Sequence, residues 1–180
     1  MEVPVSRAGR SGQRSSAGPR AGAAWDRGAG ADSGADRAPA LGLAPDALAV
    51  IARHGAAAYP DECCGVLVGV DGARRAVVRA LPAENTRADE RARRYLIDPE
   101  AIRTIERAAQ AEGLHVIGFY HSHPDHPARP SDFDREHAWP WYSYVIVPVA
   151  GGAAGTPRAW RLRDDRSAFE EQEIRGTEIP

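Results

Sequence analysis

The apolar run Cys64–Val70 is closed by Asp71-Gly72 and followed by a second apolar run over residues 75–81. Short apolar runs separated by an Asp-Gly pair read as a β-hairpin with a tight turn, so this chain must build a sheet and then cover it. The covering elements are legible on either side. From Pro45, suited to a first helical position, Leu48, Ile51, Ala52 and later alanines recur at helical spacing until Tyr59-Pro60 ends the segment. Asp98-Pro99-Glu100 opens a second helix, with Asp98 as N-cap, Pro99 at the first position, and Ile102, Ile105 and Ala109 on one face before Gly113.

Residues 95–97 read as a short strand and residues 115–121 alternate into a buried one. Residues 124–130 form a Pro-rich loop, residues 131–138 a short helix, residues 142–149 the next strand, and residues 159–163 a final one. This order predicts an α/β fold of mixed α+β type, a single-domain sandwich in which a mixed central β-sheet is flanked by helices. The domain is expected over residues 41–175. Residues 1–40 are Ala, Gly, Arg and Ser with scattered Pro and almost no Leu, Ile or Phe, so they are expected to be a disordered N-terminal tail.

Bulk properties exclude several classes of partner. A formal net charge of -2 provides no footprint for nucleic acid or an anionic membrane. Apolar stretches such as residues 145–149 fall far short of the roughly 20 residues that cross a bilayer. Cys63 and Cys64, the only cysteines, are adjacent and cannot form a framework of spaced disulfides, which makes a reducing, cytoplasmic setting the expectation. Side chains of neighbouring strand residues face opposite ways, so these two thiols read as small buried apolar groups rather than a nucleophile or ligand pair.

The chemistry concentrates in one stretch. His121 and His123 lie two apart at the end of a buried strand, so both imidazoles project to the same side. Ser131 can cap a short helix and leave Asp134 in its first turn, facing the histidines. Two imidazoles and a carboxylate, with water in a fourth position, are the donor set of catalytic rather than structural zinc. Such a site still needs a base to take and return a proton. Glu62, at the start of the first core strand, sits at a rim from which a carboxylate could reach the site, but spacing alone does not single it out from an ordinary surface glutamate. His126 and His137 read as solvated, His54 and His115 as ordinary packing or surface positions, and Trp139, Trp141 and Tyr142 as an aromatic cluster packed near the site.

Residues 60–69, Pro-Asp-Glu-Cys-Cys-Gly-Val-Leu-Val-Gly, are followed by Gly118-Phe-Tyr-His-Ser-His-Pro124 and then by Ser131 and Asp134. This multi-part pattern, within residues 43–165, resembles the JAMM (MPN-plus) zinc metallopeptidases. The resemblance implies a cytidine-deaminase-like fold, Zn2+ held by His121, His123 and Asp134, Glu62 as general acid/base, and Ser131 steadying the tetrahedral intermediate. The compact form is similar to bacterial members that cleave a peptide or isopeptide bond after the C-terminal diglycine of a ubiquitin-like or sulfur-carrier protein, one of which releases cysteine from a carrier adduct. It admits a homodimer. A non-catalytic scaffold of the same fold is the alternative, against which stands the presence of Glu62 and all three ligand residues.

Overall fold

The computed structural model describes residues 38–72 and 74–177, and the architecture below is that of these residues. In chain order the elements are β1 (Leu41–Leu43), α1 (Pro45–Ala58), β2 (Cys64–Val70), β3 (Ala76–Ala83), α2 (Pro99–Ala111), β4 (His115–Pro124), α3 (Asp132–His137), β5 (Ser143–Ala150), β6 (Ala153–Ala154), β7 (Arg158–Leu162), β8 (Phe169–Gln172) and β9 (Ile174–Gly176). The strands form one mixed sheet in the order β8-β7-β5-β4-β2-β3-β1-β9, with β6 beside β5. The pairs β4–β5, β1–β3 and β1–β9 are parallel, and β2–β3, β2–β4, β5–β6, β5–β7 and β7–β8 are antiparallel.

Both faces of the central strands are covered, which is why β2 has no polar position. On one face Ala47 and Ile51 of α1 pack with Cys63, Leu67, Val77, Ile117, Tyr120, Val145 and Val147. On the other, Ile102, Ile105 and Ala109 of α2 pack with Cys64, Val66, Val68, Val116 and Phe119, joined by Tyr95, Ile97 and Tyr144. Cys63 and Cys64 therefore enter opposite cores, as alternation requires, and both are free and buried. Each large aliphatic side chain buried this way contributes about 1.5–3 kcal/mol. The α2 signals behave as read: the Asp98 side chain accepts from Glu100 N, and Leu114 N returns to Ala109 O past Gly113, whose φ of +74° suits a residue without Cβ.

Four expectations need correction. β2 and β3 are not joined by a two-residue Asp-Gly turn: β2 ends at Val70, β3 begins at Ala76 directly opposite it, and Arg75 lies outside the strand. Its guanidinium is buried and donates to Asp71 Oδ1 (2.6 Å), Ser143 Oγ (3.1 Å) and the carbonyls of Ile117 (2.6 Å) and Trp141 (2.8 Å). A buried cation is tolerable only with such a full set of acceptors. Residues 95–97 are not a strand. Tyr95 and Ile97 are buried, but the backbone between them bonds to the connector, through Thr86 N to Leu96 O and Leu96 N to Asn85 Oδ1, instead of to a sheet edge.

The sheet also gains β1, β6, β8 and β9, whose short, charge-rich or Gly-containing sequences carry little strand signal. Finally, Trp139, Trp141 and Tyr142 pack away from the candidate site: Tyr142 meets Phe119 edge-on, Trp141 lies 4.3 Å from the Arg75 guanidinium, and Trp139 and Trp141 remain 42% and 39% exposed. Residues 1–37 of the expected tail lie outside the described residues; Pro39, at its far end, already accepts a hydrogen bond from Gln172 Nε2 (2.7 Å).

Gly118 faces Ser143 across the parallel β4–β5 pair, and a Cβ placed there would collide with the Ser143 carbonyl oxygen. Gly118→Ala is expected to destabilise the fold by about 3 kcal/mol or more, since a backbone atom in mid-sheet cannot step aside. Chemical denaturation measures this, and a wild-type midpoint would show that β4 and β5 can slide apart without cost.

Candidate metal centre

The register of β2 against β4 assembles the site. Cys64 pairs with His121, so alternation carries Glu62, two residues before Cys64, to the same face and the same end of the sheet as His121 and His123. Ser122, between the histidines, points to the opposite face and ties the two strands: Cys63 N donates to Ser122 Oγ (2.8 Å) and Ser122 N donates to Cys63 O (3.1 Å). The strand does not end at the histidines, as read from sequence, but runs on to Pro124, still paired with β5. Both rings are thus mounted on regular backbone flanked by two neighbouring strands.

The third group arrives from α3. Ser131 is its N-cap and Asp134 its third residue, in a reciprocal capping box: Asp134 N donates to Ser131 Oγ (3.1 Å), while Ser131 N and Ser131 Oγ each donate to Asp134 Oδ2 (2.7 Å). Those bonds hold Oδ2 and leave Oδ1 turned to His121 Nε2, 3.5 Å away. The two imidazole Nε2 atoms stand 3.0 Å apart, and His123 Nε2 lies 3.9 Å from Asp134 Oδ2. Donors each about 2.05 Å from a tetrahedral zinc are about 3.3 Å from one another, and the observed separations bracket that value.

The protonation pattern also fits a cation. Pro127 O can only accept, so His123 Nδ1 carries the hydrogen of their 2.8 Å bond and a neutral His123 presents a lone pair at Nε2. His121 is buried under Tyr95, with ring centroids 4.7 Å apart, and burial lowers its pKa to about 3, so it is neutral and forms no ion pair with Asp134. Its Nδ1 has no partner. Either tautomer of His121 then leaves a fault: a bare buried Nδ1, or two Nε2 lone pairs aimed at each other. A cation between the Nε2 atoms removes the second fault, so the residues present fit a metal.

Two carboxyls at the site are driven apart. Burial opposes the Asp134 charge, but the attraction of the imidazoles when they are protonated, His121 first, and the bonds from the Ser131 hydroxyl and N–H outweigh it and hold its pKa below the usual value. Glu62 has no such support: burial, then the charge of Asp134, raises its pKa to about 9, so it holds a proton at neutral pH. It opens onto a cavity of about 410 Å³ shared with Ala92, Arg93, His123, His126, Pro127, Arg129 and Ser131. His126 thus lies at the cavity, whereas His137 bonds Phe133 O, His54 bonds the Tyr120 hydroxyl, and His115 lies near Glu106.

Sequence reasoning missed the residues that hold these groups in place. Asn85, buried in the β3–α2 connector, donates through Nδ2 to Glu62 O (3.2 Å) and Arg94 O (3.0 Å), and accepts at Oδ1 from Leu96 N (3.1 Å) and Arg87 N (3.2 Å). Glu62 N donates to Arg91 O (2.8 Å), so the connector grips the Glu62 backbone on both sides. No spacing rule marks an asparagine whose partners are backbone atoms up to 23 residues away. The signal was the turn-forming Asn itself, together with an apolar Tyr95 that had no strand to belong to.

Two imidazole nitrogens and a carboxylate, beside a carboxyl able to carry a proton, define a centre equipped for metal-assisted hydrolysis. Comparison with known proteins identifies the family. Residues 44–163 match the family described as prokaryotic homologs of the JAB domain. The chain is 46% identical to a desampylase of Haloferax volcanii over 116 residues, 62% of this chain and 82% of the relative. It is 30% identical to a CysO-cysteine peptidase of Mycobacterium tuberculosis over 125 residues, 69% of this chain and 84% of the relative. A solution structure from Salinibacter ruber superimposes with a TM-score of 0.60 at 45% identity, covering 76% of this chain and 91% of that one. The chain belongs to the prokaryotic JAB family, the JAMM group that its motifs resemble, and it is a hydrolase.

The Glu62 shift has a measurable consequence in metal-free protein. Below the unfolded value near 4.5 the group is protonated in both states and contributes nothing to the pH dependence; above it the unfolded chain ionises first, so stability falls as pH rises toward about 9. Glu62→Gln removes that loss. In excess chelator the variant is expected to gain stability over wild type progressively from pH 5 to pH 8, read as denaturation midpoints. A difference independent of pH would mean that Glu62 ionises freely in the fold.

Proposed function

We propose that this chain is a zinc-dependent peptidase that hydrolyses the peptide or isopeptide bond after the C-terminal diglycine of a ubiquitin-like or sulfur-carrier protein, with residues 41–175 as the peptidase domain. The observation that carries the reading is the convergence of His121, His123 and Asp134, with ligand atoms within 4.8 Å of one another, beside the buried Glu62. These three residues would hold the metal, which when bound lowers the pKa of water to about 7 and polarises a carbonyl. Glu62 takes a proton from the attacking water and returns it to the departing amine, a role suited to a carboxyl whose surroundings raise its pKa. A nearby dication opposes the effect of Asp134 on Glu62 and favours the ionised, proton-accepting form.

Ser131 has one hydroxyl proton, spent in this structure on Asp134 Oδ2. Asp134 Oδ2 keeps the Ser131 N–H when that hydroxyl turns toward the cavity, where it supplies a donor to the tetrahedral intermediate. The names of the two relatives, a desampylase and a CysO-cysteine peptidase, support conjugates of ubiquitin-like proteins as the substrate class. A diglycine tail suits entry to the cavity beside Glu62, His123, Pro127 and Ser131, since two glycines permit close approach without side-chain clash.

Metal content of wild type and His121→Ala, run beside hydrolysis of a carrier ending in Gly-Gly-Cys, tests the reading directly. About one zinc per wild-type chain, lost together with cleavage in the variant, is the expected result; equal zinc in both proteins would move the ligands elsewhere. Glu62→Gln is expected to retain zinc and fold while kcat drops about a thousandfold. Near-normal turnover in that variant would remove Glu62 from the mechanism.

A further inference from the structure

The connector between β3 and α2 carries Arg87, Arg91, Arg93 and Arg94. Arg87 pairs with Asp89 and Glu90, Arg91 with Asp61, and Arg94 with Glu90. The Arg93 side chain alone among them has no hydrogen-bonding or acidic partner among the described residues, and Arg93 is the one that lines the Glu62 cavity. Across the cavity the pattern repeats. Arg135 pairs with Asp132 and Arg158 with Glu171, whereas the Arg129 guanidinium, also lining the cavity, has no partner among the described residues. Of the arginines whose side chains have no partner among the described residues, Arg93 and Arg129 are the two that face this 410 Å³ space.

No carboxylate lining that space answers them. Glu62 is the one acidic residue on the wall, and it is buried against the metal-binding side chains. Two guanidiniums at the rim of a cavity without an available counter-charge form an anion subsite, and the planar fork of arginine matches a carboxylate. This inference rests on the proposed peptidase activity, which limits where the anion can come from. The carrier's diglycine tail is neutral and has no side chains, so a negative charge close to the scissile bond belongs to the leaving group. An amino acid joined through its α-nitrogen places its carboxylate two bonds from that nitrogen. A lysine joined through its ε-nitrogen places only methylenes there, and its α-carboxyl is tied up in a peptide bond.

We propose that Arg93 and Arg129 form a carboxylate-binding subsite on the leaving-group side, and that the preferred substrate is a carrier ending in diglycine followed by one amino acid with a free α-carboxylate. Water adds to the terminal glycine carbonyl, the C–N bond breaks, and the α-amine leaves with the proton returned by Glu62. The products are the carrier carboxylate and the free amino acid. Both arginines touch the substrate beyond the scissile bond, so they set affinity and selectivity rather than the rate of bond breaking.

The test uses the zinc-loaded full chain and two probes, a sulfur-carrier protein ending in Gly-Gly-Cys as the free acid and the same protein as its C-terminal carboxamide. The wild type is expected to show KM at least about tenfold lower for the acid at similar kcat, as loss of a charge-assisted hydrogen bond predicts. Arg93→Gln and Arg129→Gln should each raise KM for the acid about tenfold and leave the carboxamide unchanged, a split that general unfolding or metal loss would not produce. Equal KM for the two probes in the wild type, or variants that weaken both probes alike, would overturn the subsite while leaving the peptidase reading intact. Turnover of neither probe by the zinc-loaded wild type would overturn the peptidase reading, and the subsite with it.

Discussion

The pairing of Cys64 with His121 is the constraint on which the site depends. Because side chains alternate along a strand, that single register decides that Glu62, His121 and His123 share one face and one end of the sheet. A slip of one residue would turn both imidazoles toward α1 and bring Ser122 to the surface that receives Asp134. The reciprocal bonds between Cys63 and Ser122 sit beside this pair, and Gly65 and Gly118 on the paired strands admit close neighbours, an aromatic ring of Tyr120 in one case and the Ser143 backbone in the other. Packing from α1 on one side and α2 on the other leaves the strands no alternative register that buries their apolar residues equally well.

Electrostatics at the centre follow from how each group is held. Asp134 is near the histidines and accepts two bonds from Ser131, so it stays ionised although mostly enclosed. Glu62 is held through its backbone, by Asn85 and Arg91, and its carboxyl receives no comparable support, so desolvation governs it. Two carboxyls in one small volume thereby take opposite protonation states, one suited to binding a cation and the other to moving a proton. The neutral His121 ring and the His123 ring complete the set, the latter oriented by its Nδ1 bond to the Pro127 carbonyl.

Local chemistry was legible wherever a residue acts through its immediate neighbours. Ser131 and Asp134 announce a capping box, Asp98-Pro99 announces the start of α2, and His-x-His on an apolar strand announces two convergent rings; each appears in the structure where the spacing put it. The motif resemblance then supplied Glu62, which no local rule separates from an ordinary surface glutamate. What local rules misjudged were residues whose conformation answers to distant partners. Arg75 looks like the first residue of a strand, yet its guanidinium is pulled out to Ser143, Ile117 and Trp141; Tyr95 looks like a strand residue, yet it is extended chain whose ring stacks on His121.

The amino-acid sequence by itself determined the covered sheet, the two long helices with their caps, and the identity of the groups able to bind a metal, because periodicity and capping act over a few residues. The tertiary structure alone decided that Glu62 and His123 line one cavity, that Asn85 and Tyr95 brace the centre, and that Arg93 and Arg129 share that cavity without a free acid to answer them. Those facts depend on strand register and on loops from separate parts of the chain arriving at one place. Side-chain spacing along the sequence carries no record of that arrival, since it results from the packing of both cores at once.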